Sequence, residues 1–194
     1  AEKTWRASDS LEFRVGTENR FDHIGKVGVT QTSARTFVQS FGLYRVKELS
    51  GSVFAEATWR PVEKLRLIGG LRADAYHADI EARDAAAIAI GVGKAHDAIV
   101  SPKISAAYAL TDRVELYGNW GRGFHSNDVR GTVAATPVPL LVKGTGKEAG
   151  VRFQLGDLTL TMTYWRLSVG SELRFVGDSN AVEPTGASRR RGYE

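Results

Sequence analysis

Cysteine is absent from the 194 residues, so they can supply neither a disulfide framework nor a thiolate metal site. An oxidising compartment is permitted by that absence and not required by it. No apolar run approaches the ~20 residues that a membrane-spanning helix needs. The longest weakly apolar stretch, Ala85 to Gly93, is rich in Ala, Ile and Gly and too short to span. Ala1 to Ser10 holds no apolar core of a signal peptide. His23, His77, His96 and His125 form no H-E-x-x-H spacing, and solvated loop positions account for them better than a metal site. A G-x-S-x-G elbow is missing, and Gly121-Arg122-Gly123 follows strand alternation instead of opening a helix, which argues against a phosphate cradle. The expectation is a protein without cofactor, without metal and without enzymatic chemistry. A net charge of +4 is mildly basic and does not point to nucleic acid.

What the chain does have is a two-residue rhythm. Leu49, Gly51, Val53, Ala55, Ala57 and Trp59 alternate with Ser50, Ser52, Phe54, Glu56 and Thr58. Successive strand side chains point to opposite faces, so one face here is apolar and the other wet. The pattern recurs at Leu11–Val15, at Leu65–Ala75 against Lys64–Tyr76, and at Val100–Leu110. It returns at Val114–Trp120, Ala149–Leu155 and Leu158–Tyr164, giving about eight strands in all.

The connections fall into two classes. Tight turns are expected at Arg60-Pro61-Val62-Glu63, Thr111-Asp112 and Gly156-Asp157. Between them lie long polar stretches at about 19–45, 83–97, 125–146 and 178–189. Short and long alternate strictly, as in an up-and-down barrel of the outer membrane, with short periplasmic turns and long extracellular loops. A soluble β-sandwich would scatter its loop lengths. The mean hydropathy of −0.23 suits either, because a membrane barrel's signal per strand is weak.

Trp59, Tyr108 and Tyr164 stand at or near the ends of apolar faces, where amphipathic rings favour the lipid–water boundary. Glu56, Arg66, Arg72, Asp74, Glu115 and Arg152 share the opposite parity and would face a lumen, where they can pair between neighbouring strands. On the lipid face an Arg or Lys would cost about 2–4 kcal/mol at mid-depth. Arg189-Arg190-Arg191 would lie near the outer rim, as a solvated run or against lipid phosphates.

Ser101-Pro102-Lys103, the tyrosine-bearing strand after it, and the run from Gly121 through Phe124 and Asp128 to Gly131 follow one another in order. Together they resemble the barrel of TonB-dependent outer-membrane receptors. Gly70-Leu71-Arg72-Ala73-Asp74, Glu172 to Asp178, Ser188-Arg189-Arg190 and Gly192-Tyr193-Glu194 look like other strands of that family. The likeness runs from about Leu11 to Glu194. It implies a barrel of about 22 strands around a plug. It also implies an extracellular small-molecule ligand such as a ferric chelate, cobalamin or a saccharide, and a TonB-type energy-transducing complex pulling on an N-terminal TonB box. Residues 1–194 carry no plug domain, no TonB box and no terminal strand ending in an aromatic.

The expected fold is therefore all-β, a partial wall of an antiparallel transmembrane barrel. Residues 1–194 are read as a fragment of the receptor's barrel domain, toward its C-terminal side, because the pattern begins and ends inside sheet. The expected location is the outer membrane of a Gram-negative bacterium, with the receptor's own plug, lipid, ligand and the energy-transducing complex as partners. Candidate residues of the lumen or outer mouth are Arg72, Asp74, Tyr117, Arg122, Asn127, Asp128 and Arg130, with Asp128 and Arg130 able to pair and shape their loop. A passive porin shares the same wall. An outer-membrane enzyme would need a Ser and a His together near the rim on the outward face, and the outward positions hold no such pair.

Overall fold

The computed structural model describes residues 1–171, 173–176, 181–184 and 186–194. Glu172, Gly177 and Asp178 of the motifs above lie outside them, as does part of the connection expected at 178–189. The chain forms β1 (Glu2–Ser8), β2 (Leu11–Ser33), β3 (Thr36–Val62), β4 (Leu65–Ala82), helix α1 (Ala85–Ile90) and β5 (Gly93–Thr111). β6 (Val114–Ser126), a 3₁₀ turn at Val129–Val133, β7 (Leu141–Leu155) and β8 (Leu158–Val169) follow, then β9 (Leu173–Val176), β10 (Ala181–Pro184) and β11 (Ser188–Tyr193).

A single sheet takes up most of this, in the order β1-β2-β3-β4-β5-β6-β7-β8-β11, every pairing antiparallel. β9 and β10 pair separately with each other. The sheet does not close, and β1 and β11 are its two edges. From β1 to β8 it is a meander in which each strand lies beside its neighbour in sequence, and β11 continues it beyond β8. Turns of two residues at Asp9-Ser10, Glu63-Lys64, Asp112-Arg113 and Gly156-Asp157 share one end, and the long excursions share the other.

Four boundaries differ from the expectation. Ala1–Ser10, which precedes the first strand expected at Leu11, contains a strand, because Glu2–Arg6 need only a backbone ladder to Glu12–Gly16. Residues 19–45 are not a loop: β2 and β3 stay paired out to Ser33 and Thr36, joined by Ala34-Arg35. Alternation fades there because both faces of the ribbon are solvated, while main-chain hydrogen bonding continues regardless of side chain. Pro61 lies within β3 at a register shift between Trp59 and Val62, where its missing N–H costs no ladder bond, and the turn itself comes later. Thr111 likewise ends β5, so the next turn is Asp112-Arg113.

Burial runs opposite to that of a soluble sheet. Val53 is 58% exposed and Leu160 48%, while Ser52 and Asp74 on the polar face are only 7% and 4% exposed. Leu49, Trp59, Leu71, Ile104, Tyr108, Leu116 and Met162 are all exposed on the apolar side. A large contiguous apolar surface marks a face meant for something other than water. The apolar core among the described residues sits instead at the long-connection end, where Tyr44, Val46, Ala78, Ile80, Ala87, Ile99, Val129, Leu140 and Leu141 meet.

Candidate functional site

Two regions bring polar side chains together: the sheltered face of the wall, and the mouth where the long connections fold in. On the wall, register places Arg14, Glu56, Gly70, Lys103 and Gly121 side by side on five strands. Arg14 reaches Glu56 at 3.4 Å, and Lys103 pairs with the same carboxylate from two strands away. It can do so because Gly70 stands between them: a Cβ there would meet Lys103 Cε at 2.8 Å. One step up, Arg72 donates to Asp74 Oδ1 at 2.9 Å and pairs with Glu18 at 2.8 Å. Lower down, Glu115 pairs with Arg152 at 2.8 Å and with Arg66 at 3.7 Å.

Tyr117 uses the same device. Its hydroxyl and that of Thr163 lie 2.5 Å apart across Gly150, where a Cβ would come within 2.5 Å of the Tyr117 oxygen. Long side chains thus lie flat across glycine and tie nonadjacent strands together. Arg72 and Lys103, with Glu2, Arg14, Glu18 and Glu56, line a recess of about 540 Å³, and Arg122 borders it. β6 pairs with β5 only as far as Gly121, then leaves it. Beyond that point Phe124 packs edge-on against Tyr76, with ring centroids 6.0 Å apart, and Leu141 N–H donates to Asp97 at 3.1 Å. The top of the β6–β7 hairpin has therefore folded against the sheltered side of β4 and β5.

At the mouth, buried Asn127 fastens the 127–140 connection: its backbone N–H donates to Leu140 O at 2.8 Å and its side chain to Pro139 O at 2.7 Å. Asp128 caps the following 3₁₀ turn by accepting from Arg130 N at 2.9 Å, and the Arg130 guanidinium pairs with the same carboxylate. Burial opposes the charge on Asp128, but the side-chain and backbone hydrogen bonds from Arg130 prevail and hold its carboxyl below the ordinary range. Arg130 also lies over the Tyr44 ring, 6.0 Å from its centroid.

The neighbouring connection is held similarly. Asp84 caps α1 by accepting from Ala87 N at 2.8 Å and also accepts from Leu43 N of β3 at 3.2 Å. Hydrogen bonds from Ser40 first, then from Ala87, hold its carboxyl below the usual carboxylate range. Gly91, with φ of 142°, lets α1 abut the 3₁₀ turn, since a Cβ there would fall 2.0 Å from Val133 O.

Sequence patterning alone therefore picks out two separate groups. Arg72, Asp74 and Tyr117 are on the sheltered wall with Arg122 at the recess, while Asn127, Asp128 and Arg130 are at the mouth. Arg14, Glu18 and Lys103 were not singled out, although their even or odd parity matched the wet face. Tyr44 and Asp84 carried no periodic signal and emerge only from the packing of the mouth. No cluster of His, Asp or Glu suited to a metal occurs among the described residues.

Residues 3–194 match the family described as TonB dependent receptor-like, beta-barrel. The chain belongs to the TonB-dependent receptor family. Its strands are those of the transmembrane barrel, here an unclosed partial wall. Among solved structures, the chain is similar to the copper transporter OprC at 18% identity with a TM-score of 0.72, covering 98% of this chain and 33% of that one. It resembles the ferric yersiniabactin uptake receptor FyuA from Yersinia pestis at 15% identity and a TM-score of 0.72, over 99% of this chain and 30% of that one. The Serratia marcescens hemophore receptor HasR, solved with its hemophore HasA and heme, matches at 17% identity and a TM-score of 0.70, over 99% and 37%. The chain thus spans about a third of the length of these three proteins. No curated protein matches it in sequence.

Proposed function

We propose that these residues form part of the barrel of an outer-membrane receptor that imports a scarce ligand, such as a ferric chelate or cobalamin, by TonB-type energy coupling. The observation that carries this reading is the inverted burial: apolar side chains face outward, and ion pairs line the sheltered side. Lipid accounts for the first, and a polar body inside the barrel accounts for the second. The receptor's own plug is the natural occupant, with Arg72, Asp74, Tyr117 and Arg122 on its walls. Asn127, Asp128 and Arg130 shape the outer mouth through which ligand enters.

The test is uptake by the full-length receptor in a Gram-negative host. Accumulation of a radiolabelled ferric chelate or cobalamin should require both the receptor gene and an intact energy-transducing complex. Flux that persists after the complex is deleted would mean a passive pore, and absence of the protein from the outer-membrane fraction would defeat the reading altogether.

A further inference from the structure

β6 leaves the wall at a point marked by the chemistry of both strands. From Ala109 opposite Glu115 to Lys103 opposite Gly121 the β5–β6 register never shifts. Beyond that rung β5 runs back to Gly93 with β4 as its ladder partner, while β6 runs on to Ser126 paired with β7. Peptide groups alternate sides along a strand. Ala109 N–H donates to Lys64 O on the β4 side, so the even-numbered residues of β5 turn theirs toward β6. The next rung would set Pro102 against Arg122, and Pro102 has no N–H to give. Further along the same edge, Ala98 gives its N–H to Asp97 Oδ1 at 2.8 Å.

At that level β6 and β7 carry two directly facing glycine pairs, Gly121 with Gly146 and Gly123 with Gly144. Glycine weakens a strand interior, since it adds conformational freedom and no side chain. The folded-in arrangement does not require it. None of the four has a positive φ. A Cβ at Gly123 or Gly146 would meet nothing within 4 Å, and at Gly121 or Gly144 nothing closer than 3.5 Å. Gly70 and Gly150 make room for a crossing side chain, and these four do not. What they supply is freedom to bend, in both strands of the hairpin at one level.

A clasp holds the bent state. Asp97 Oδ2 accepts from Leu141 N at 3.1 Å, so one carboxylate joins the free edge of β5 to the hairpin. Phe124 lies edge-on to Tyr76, and Val129, Leu140 and Leu141 share a cluster with Ile99, which is only 4% exposed.

We infer that the β6–β7 hairpin is a lid hinged at the two glycine pairs, closed in this structure, which opens by zipping β6 back onto the β5 edge from Pro102 to Ala98. Opening draws Gly123 and Phe124 away from the 540 Å³ recess that they help to line, and it uncovers Ile99. The hinge belongs to the wall itself, so it stands for an energy-coupled receptor and for a passive pore alike.

Cysteine modification tests it, on the purified full-length receptor in liposomes and in a background free of other cysteines. In I99C the rate of reaction with a polar maleimide reports opening of the lid. D97A cuts the clasp and should raise that rate about tenfold or more, as loss of a hydrogen bond to a charged group implies. P102V restores the missing N–H and favours the zipped state, so the rate should rise about threefold, the smaller worth of a neutral hydrogen bond. Alanine at all four glycines fits the closed state but stiffens the hinge, and should slow the reaction about threefold. An unchanged or slower rate in P102V overturns the re-zipping. An unchanged rate in the four-alanine variant overturns the hinge and leaves the glycines as a smooth stretch of wall. Immediate reaction of I99C alone would show that no lid covers it. Resistance to SDS, measured in parallel, reads assembly, and if D97A fails to assemble the other two variants decide.

Discussion

At Ala34 and Arg35 the backbone has φ of 47° and 68°, so both central residues of the β2–β3 turn are left-handed. That geometry matches the twist of a hairpin and favours Asn-Gly. Ala and Arg in its place are strained by roughly 1–2 kcal/mol each. Replacing them together, Ala34→Asn with Arg35→Gly, should stabilise the ribbon tip by at least about 1 kcal/mol. Hydrogen exchange at Ser33 and Thr36 should slow accordingly, and faster exchange would refute the assignment of turn strain.

Asp128 supplies a residue-scale pH dependence. Its carboxyl is held below the ordinary range by Arg130, so the loop stabilisation it provides is complete above the unfolded carboxylate value near 4 and is lost as pH falls through the lower folded value. Protection of residues 127–140 should be flat from about pH 8 to 5 and drop only in stronger acid. In Asp128→Asn the acid-side drop should vanish, with protection reduced at every pH.

The individual elements here are long strands held by a few crossing side chains. Gly150 separates β6 from β8 in register yet lets Tyr117 touch Thr163. Gly150→Val should push the phenol aside and lose that hydrogen bond, costing on the order of 1–3 kcal/mol from the strained packing. Thermal unfolding of the assembled receptor would show it, and Thr163→Val alone should cost less. The 127–140 connection depends more on one residue than on its length. Asn127→Ala removes the side-chain donor to Pro139 O, a part-buried hydrogen bond worth about 0.5–1.5 kcal/mol, and should raise exchange throughout the connection.

For the whole molecule, the decisive property is which face meets lipid. Val53→Arg puts a charge on the outward face, costing about 2–4 kcal/mol if it lies near mid-depth. Ser50→Arg, of the opposite parity on the same strand, points inward instead. Assembly of the full-length receptor, read by resistance to SDS, should suffer for Val53→Arg and not for Ser50→Arg on the inner side. Equal tolerance on both faces would mean that the exposed apolar surface does not meet a membrane. The open edges β1 and β11 follow from the same architecture, since a barrel removes unpaired edges by closing.

The amino-acid sequence by itself determined the strands, their two faces and the alternation of short and long connections. Those follow from period-two patterning, which is local and repeats in every strand from Leu11 to Tyr164. It also marked Arg72, Asp74 and Tyr117 as wet-face residues, because parity alone sets which way a strand side chain points. Only the tertiary structure decided that residues 19–45 are a protruding ribbon, since a solvated hairpin has no face to pattern. Only it could show Lys103 reaching across Gly70 to Glu56, because register between strands is a nonlocal quantity. The inward fold of the β6–β7 hairpin onto Tyr76 and Asp97 is nonlocal in the same way. So is the meeting of Lys147, Arg166 and Arg189, which are scattered in sequence and gathered into one recess by strand pairing alone.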